Sequence, residues 1–140
     1  MDEADRDIRN RTYALFVELG RAPTASEVDP GGAEAWRRLH DQHALVLDER
    51  GELLMANPFS AVPTLCQVDT DDGRSWYANC AWDAIGVLAA LKSDGRIELS
   101  CPDCGDQINF EVWDEQPDAK DTLFHCLVPA AHWWDDIGFT

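Results

Sequence analysis

The stretch Arg74-Ser-Trp-Tyr-Ala-Asn-Cys-Ala-Trp-Asp-Ala-Ile-Gly-Val-Leu-Ala-Ala-Leu91 contains the change of pattern that decides the fold. Residues 74–78 predict a short strand, which leads through Asn79 directly into a helix over residues 80–91. Because this helix is apolar almost all round, we expect it to be buried on most of its sides. Ser93-Asp-Gly95 ends it.

Further strands are expected on both sides of this helix. The segments with apolar alternation or short apolar runs are residues 64–68, 96–100, 107–112 and 123–128, and a last helix is expected over 130–136. Residues 58–140 are therefore predicted to form an α+β unit, in which a small mixed or antiparallel sheet packs on the buried helix.

The first part of the chain predicts a winged-helix-like domain over residues 1–57, with three helices followed by a β-hairpin. Gly20 ends a helical stripe that begins at Ile8, and Thr24 with Glu27 has the spacing of a capping box. The remaining predicted elements are a third helix over 33–43, a hairpin of 44–48 with 52–56, and a linker over 57–63 that contains Pro58 and Pro63.

The charge of the chain excludes several classes of partner. It has 11 Lys and Arg against 27 Asp and Glu, a net charge of -16. Nucleic-acid binding requires clustered basic side chains, so we expect no nucleic-acid partner and solvated arginines on the third helix.

No window of the sequence approaches the about 20 apolar residues of a membrane span, and the N-terminus lacks the features of a secretory signal. The expected location is the cytoplasm.

Five cysteines, an odd number, argue against a disulfide framework in that compartment. Cys80 and Asp83 share one face at the start of the apolar helix. The helix dipole is expected to lower the pKa of the thiol, and burial to raise the pKa of the carboxyl, which would pair a nucleophile with a general acid. The alternative is a small core cysteine followed by a dipole-favoured aspartate.

The second cysteine motif is Cys101-Pro-Asp-Cys104-Gly105, in the turn between two predicted strands. It is either half of a structural site for zinc or another soft metal, or a plain turn. The remaining candidate ligands are His125, Cys126, Cys66 and Cys80, although Cys66 is expected in the core. Cys126 is expected to end a strand near the start of the buried helix.

Taken together, these residues resemble the organomercurial lyase (alkylmercury lyase) family. The resemblance is carried by the helical first part, by Trp76-Tyr-Ala-Asn-Cys-Ala-Trp-Asp83 and by Phe124-His-Cys-Leu-Val-Pro129. Pro58-Phe-Ser-Ala-Val-Pro-Thr64 is similar to the linker of that family. The chain ends at Thr140, where members of the family are expected to continue.

The resemblance implies an enzyme that cleaves carbon–mercury bonds by protonolysis without a cofactor, in mercury detoxification. By position, Cys80 and Cys126 would bind mercury, and Asp83 would protonate the carbon; Cys101 and Cys104 are rivals for the role of the second thiol. The implied partners are an organomercurial, and small thiols or a mercury-accepting thiol protein. We expect a monomer or dimer. The alternatives are a non-catalytic thiol protein for Hg, Cu or Zn, and a metal-responsive winged-helix regulator.

Overall fold

The computed structural model of the protein describes residues 1–119 and 121–138. Its helices are α1 (Glu3–Leu19), α2 (Ala25–Val28), α3 (Gly32–Asp41) and α4 (Ala81–Leu91), and a 3₁₀ helix covers Ala130–Asp135. Its strands are β1 (Val46–Leu47), β2 (Leu53–Ala56), β3 (Phe59–Ser60), β4 (Cys66–Thr70), β5 (Ser75–Ala78), β6 (Gly95–Ser100), β7 (Gln107–Trp113) and β8 (Gln116–Pro117).

The three N-terminal helices begin and end largely where local signals place them. Gly20 ends α1 with a left-handed φ of 64°, a conformation that glycine adopts without steric cost. Thr24 and Glu27 form the predicted capping box: the Glu27 amide donates to Thr24 Oγ1 (3.3 Å) and the Thr24 amide to Glu27 Oε2 (2.7 Å). Helix α1 begins earlier than predicted because the Asp2 side chain caps it, accepting from the Asp5 amide at 2.8 Å.

Helix α3 packs against α1 through buried side chains. Trp36 and Leu39 are fully buried, and the Trp36 indole donates to Thr12 Oγ1 at 2.9 Å. At the edge of this contact, Arg38 donates to the buried Asp5 carboxylate at 2.7 Å. This ion pair lowers the pKa of Asp5, mainly through the hydrogen bond from Arg38. Arg38 of the third helix is therefore engaged within the helical unit.

All strands join one antiparallel sheet in the order β1-β2-β3-β5-β4-β6-β7-β8. The α+β class, with an N-terminal helical unit and an antiparallel sheet beside α4, is confirmed. The predicted linker is wrong in part, because Phe59 and Ser60 form the internal strand β3, which pairs with both β2 and β5. Pro58 and Pro63 flank this strand, so neither proline removes an amide from it.

The prediction that helix α4 is buried on most sides is also wrong. One face packs on the sheet and contains Ala84, Val87 and Leu88, which are buried. On the opposite side, Trp82 is 61% exposed and Ile85 36%. A single sheet covers only one side of a helix, so an all-round apolar sequence does not suffice to bury it.

The C-terminal segment, residues 121–138, differs from its prediction. Residues 123–128 form no strand, and Leu123 is 93% exposed. The edge of the sheet next to β7 is occupied by β8, which pairs through Val112 with Pro117. The expected final helix is the 3₁₀ helix Ala130–Asp135. Ring contacts attach the segment to the body: Trp134 stacks on His43 at 4.1 Å and Phe124 contacts Trp82 at 5.8 Å between ring centroids.

Within residues 1–119 and 121–138, none of the helices has the length and apolar character needed to cross a membrane.

Candidate functional site

Cys80 and Asp83 meet at the junction between β5 and α4. Strand β5 ends at Ala78, and Cys80 is the N-cap residue of the helix, three positions before Asp83. This spacing places both side chains on one side of the first turn, close enough for each to shift the pKa of the other. The structure therefore brings together these two predicted site residues.

Burial raises the pKa of the Asp83 carboxyl, the direction expected for an acid on an apolar helix. The hydrogen bond from Asn79 and the nearby Cys80 thiol oppose this increase without reversing it. A carboxyl group in this setting takes up a proton more readily than an exposed aspartate and can release it again, as acid–base catalysis requires.

The pKa of Cys80 moves in the direction opposite to the prediction. Burial raises it, and the neighbouring negative charge of Asp83 adds to the increase, whereas the backbone amides of Asp83 and Trp82 lower it. Removal from water and the adjacent carboxylate together outweigh the helix N-terminus. Cys80 therefore rests as a thiol, with the Asp83 carboxylate beside it as a proton acceptor.

A polar cluster that the sequence analysis missed holds Asp83 in place. Asn79 Nδ2 donates to Asp83 Oδ2 at 3.1 Å and to Asn57 Oδ1 at 2.9 Å. Asn79 stands four residues before Asp83 but lies outside the helix, which begins at Ala81, so the helical i,i+4 spacing gave no signal for this contact. The contact with Asn57 joins distant parts of the chain and has no local signature.

Helix α1 also reaches this cluster. The Tyr13 hydroxyl donates to the backbone carbonyl of Asn57 at 2.9 Å, and the Arg9 guanidinium lies 4.9 Å from the centre of the Tyr13 ring. Burial raises the pKa of Tyr13, and the charge of Asp83 adds to this increase. The N-terminal unit thus contributes a side chain within electrostatic range of the candidate acid.

Cys66 is buried, as predicted, but it also belongs to this junction. It pairs with Ala78, the last residue of β5, and is 7% exposed. Burial raises its pKa to about 11, with further contributions from the charges of Cys80 and Asp83. Cys66 is therefore a protonated thiol beside the candidate site.

Cys126 lies apart from this group. It is exposed in the irregular segment before the 3₁₀ helix, where its thiol donates to the Val128 carbonyl at 3.0 Å. The Phe124–Trp82 ring contact places this segment beside the first turn of α4. The prediction that Cys126 ends a strand is wrong, and its pairing with Cys80 stays a prediction.

Cys101 and Cys104 occupy the turn between β6 and β7, as predicted. Among the residues that the structure describes, no three His, Cys, Asp or Glu side chains are grouped to hold a metal ion. The two thiols supply only half of the four ligands of a structural zinc site, so this geometry does not support the zinc interpretation.

Comparison with known proteins adds a structural and a family match. A solved structure described as the mercury-bound form of MerB2 aligns with a TM-score of 0.62 at 22% sequence identity, which shows a shared fold. The match covers 81% of this chain and 57% of that one, so the chain spans little more than half the length of its structural relative. A search of curated proteins found no match.

The family model described as MerB, alkylmercury lyase, matches residues 59–140. This region is more than half of the chain and contains Cys80, Asp83 and Cys126. The chain therefore belongs to the alkylmercury lyase family.

Proposed function

We propose that this protein cleaves carbon–mercury bonds by protonolysis, converting an organomercurial cation R–Hg⁺ into the hydrocarbon R–H and Hg(II). The observation that carries the proposal is the placement of Cys80 and Asp83 side by side at the start of α4, inside the region that matches the family. A soft thiol binds mercury, and an adjacent carboxyl group with a raised pKa supplies the proton that the carbon must receive.

The proton begins on the sulfur of Cys80. As R–Hg⁺ approaches, Asp83 accepts this proton and a Cys80 sulfur–mercury bond forms. Because burial raises the pKa of Asp83, the carboxyl can hold the proton while mercury is bound. Mercury thus replaces the proton on the sulfur, and the proton stays within reach of the carbon.

We propose Cys126 as the second thiol. Its thiol releases its proton to the solvent, and the resulting thiolate adds to mercury and raises the electron density on the bound carbon. Asp83 then protonates that carbon, the carbon–mercury bond breaks, and R–H leaves. Hg(II) remains on the two sulfurs until an external thiol or a thiol protein takes it. The oxidation state of mercury does not change, and these steps require no cofactor.

Asn79 has a positioning role in this scheme. Its amide donates to one carboxylate oxygen of Asp83 and is itself oriented by Asn57. Free rotation of the carboxyl would direct the proton away from both the sulfur and the carbon. Fixing the carboxyl in one orientation favours both transfers.

The test is direct release of hydrocarbon. The protein is incubated with methylmercury or phenylmercury and an excess of small thiol, and methane or benzene is measured. We expect release by the wild type, and a loss of at least about 10⁴-fold in Cys80→Ser, because the serine hydroxyl is a poor mercury ligand. Circular dichroism checks that the variant is folded.

A different result would contradict the proposal. If the folded wild type binds Hg(II) but releases no hydrocarbon from either substrate, the protein is a thiol-based mercury-binding protein and not a lyase.

A further inference from the structure

We propose that Cys101 and Cys104 form a second, two-coordinate Hg(II) site on the turn between β6 and β7. This turn plays no part in the lyase scheme. The choice of Hg(II) as the ion rests on the proposed function, because that reaction releases Hg(II). The capacity of the pair to bind a soft ion rests on the turn itself.

The backbone closes this turn so that the two cysteines lie side by side. The Cys101 amide donates to the Asp106 carbonyl at 2.8 Å, and the Gly105 amide donates to the Cys101 carbonyl at 2.9 Å. Gly105 has a φ of 78°, in the left-handed region that glycine adopts without steric cost. The loop is therefore fixed by its own hydrogen bonds, and both sulfurs project from one short segment.

The two thiols of this turn can be reached from solvent, because Cys104 is exposed and Cys101 is partly exposed. Two thiols three positions apart on one closed turn can chelate a single ion, and sulfur ligands favour soft metals.

The number of ligands selects the kind of ion. Within the described ranges 1–119 and 121–138, no third His, Cys, Asp or Glu joins the pair in a metal-binding group. Zinc in structural sites takes four ligands. Hg(II) is satisfied by two thiolates in a linear arrangement, so this pair is complete for mercury and incomplete for zinc.

The turn lies at the same end of the strands as Cys80 and Asp83, the pair proposed for the lyase reaction. Cys66, at the start of β4, pairs with Ala78 on one side and with Leu99 on the other. Cys80 follows the end of β5, and Cys101 follows the end of β6. Both strands run antiparallel to β4, so both cysteines lie at the end of the sheet where β4 begins. The second site is therefore positioned to retain the ion that the first one releases.

Binding is an exchange of thiols. An Hg(II) ion carried by two small thiolates forms bonds to Cys101 and Cys104, and the two small thiols leave with the two protons of the pair. Two sulfur–mercury bonds break and two form, and neither mercury nor sulfur is oxidised or reduced.

The experiment uses the full chain with Cys80→Ser and Cys126→Ser, which removes the proposed lyase thiols. Mercuric chloride is added with a competing small monothiol, and mercury retained per chain is measured after desalting, together with the ultraviolet absorption of mercury thiolate. We expect one Hg(II) per chain. The matched control adds Cys104→Ser and is expected to lower the affinity about 10²-fold, because the chelate is lost.

Three outcomes overturn the second site. The first is that the parent variant does not retain mercury, and the second is that mercury is retained equally after Cys104→Ser. The third is preferential binding of zinc at one ion per two chains, which would identify a four-thiolate site shared between copies. Hydrocarbon release is measured on the wild type. Release without binding at this turn rejects the second site alone, and binding without release rejects the lyase alone.

Discussion

The two cysteines proposed to hold mercury lie in very different surroundings. Cys80 lies at a junction of strand and helix, where Asp83, Asn79 and Cys66 surround it. Cys126 lies in an exposed irregular segment, attached to the body by stacked and tilted rings, and its thiol bonds to the carbonyl two residues on. One thiol is fixed beside its proton acceptor, and the other is presented to solvent.

This difference suggests a division of labour. Proton transfer tolerates little error in position, and the thiol and carboxyl proposed to exchange the proton lie in the sheet–helix junction. The second thiol needs only to reach the metal, whose long, soft bonds to sulfur tolerate more variation. We therefore expect the junction to dominate the chemical step and the C-terminal segment to contribute less.

The strongest way to break this comparison is Asp83→Asn. An amide neither accepts the Cys80 proton nor protonates carbon, so we expect hydrocarbon release to fall about 10³-fold, while Hg(II) binding by the thiols persists. Single-turnover release and mercury retention measure the two properties separately. Unchanged release in Asp83→Asn would show that another group supplies the proton.

The same substitution also has a pH-dependent effect on stability. Burial raises the pKa of Asp83 above its ordinary value of 3.8, so the folded state holds this proton more tightly than the unfolded state. The wild type therefore loses stability as the pH rises from below 3.8 to above the raised pKa that Asp83 has in the folded state. Asp83→Asn removes this cost, so its thermal midpoint should exceed the wild-type value at neutral pH, with the gain disappearing toward about pH 3. A gain that is constant with pH contradicts this account.

Cys126→Ser tests the other half of the comparison. If Cys126 is the second thiol, release should fall about 10²-fold, with the thermal midpoint unchanged because the side chain is exposed. Cys66→Ser is the matched variant: it places a hydroxyl in a buried position and should lower stability more than activity. If Cys66→Ser instead removes activity and Cys126→Ser does not, the second thiol is the buried one.

Asn79→Ala sharpens the claim that the junction is preorganised. Loss of the 3.1 Å bond to Asp83 leaves the carboxyl free to rotate, and we expect kcat to fall about 10-fold with little change in KM. Asn109→Ala, on the exposed surface of β7, serves as the control for loss of an asparagine. A rise in KM at constant kcat would mean that Asn79 acts on binding and not on the orientation of Asp83.

The smallest effect is expected from Tyr13→Phe. It removes the hydroxyl that donates to the Asn57 carbonyl at 2.9 Å and should lower the free energy of unfolding by about 1 kcal/mol, measured by urea denaturation. A change in kcat of the same size as in Asn79→Ala would show that Tyr13 of helix α1 affects the proposed reaction and does not only stabilise the fold.

Sequence patterns succeeded where the physical cause is local. Thr24 and Glu27 are three residues apart, and Gly20 adopts the left-handed backbone conformation that ends a helix. The caps could therefore be predicted without knowledge of the rest of the chain. The adjacency of Cys80 and Asp83 follows in the same way from one helical turn. These predictions depend on a few neighbouring residues and on backbone geometry.

The patterns failed where the outcome depends on distant partners. Residues 123–128 have the composition of a strand, but β8 occupies the edge beside β7. Phe59 and Ser60 lie between prolines and resemble a linker, but the strands on either side provide them with hydrogen bonds. The pKa of Cys80 likewise depends on burial and the Asp83 carboxylate, which outweigh the helix end that the sequence reveals.

Strand β3 has a consequence for how the protein can be divided. The match to the family begins at Phe59, in the middle of a continuous sheet whose earlier strands belong to the helical part. A protein cut before this residue would retain Cys80, Asp83 and Cys126, the proposed lyase residues, but would lose β2, the neighbour of β3. The new sheet edge could then recruit strands from other molecules. The region that matches the family is therefore not necessarily the smallest part of this protein that folds without aggregating.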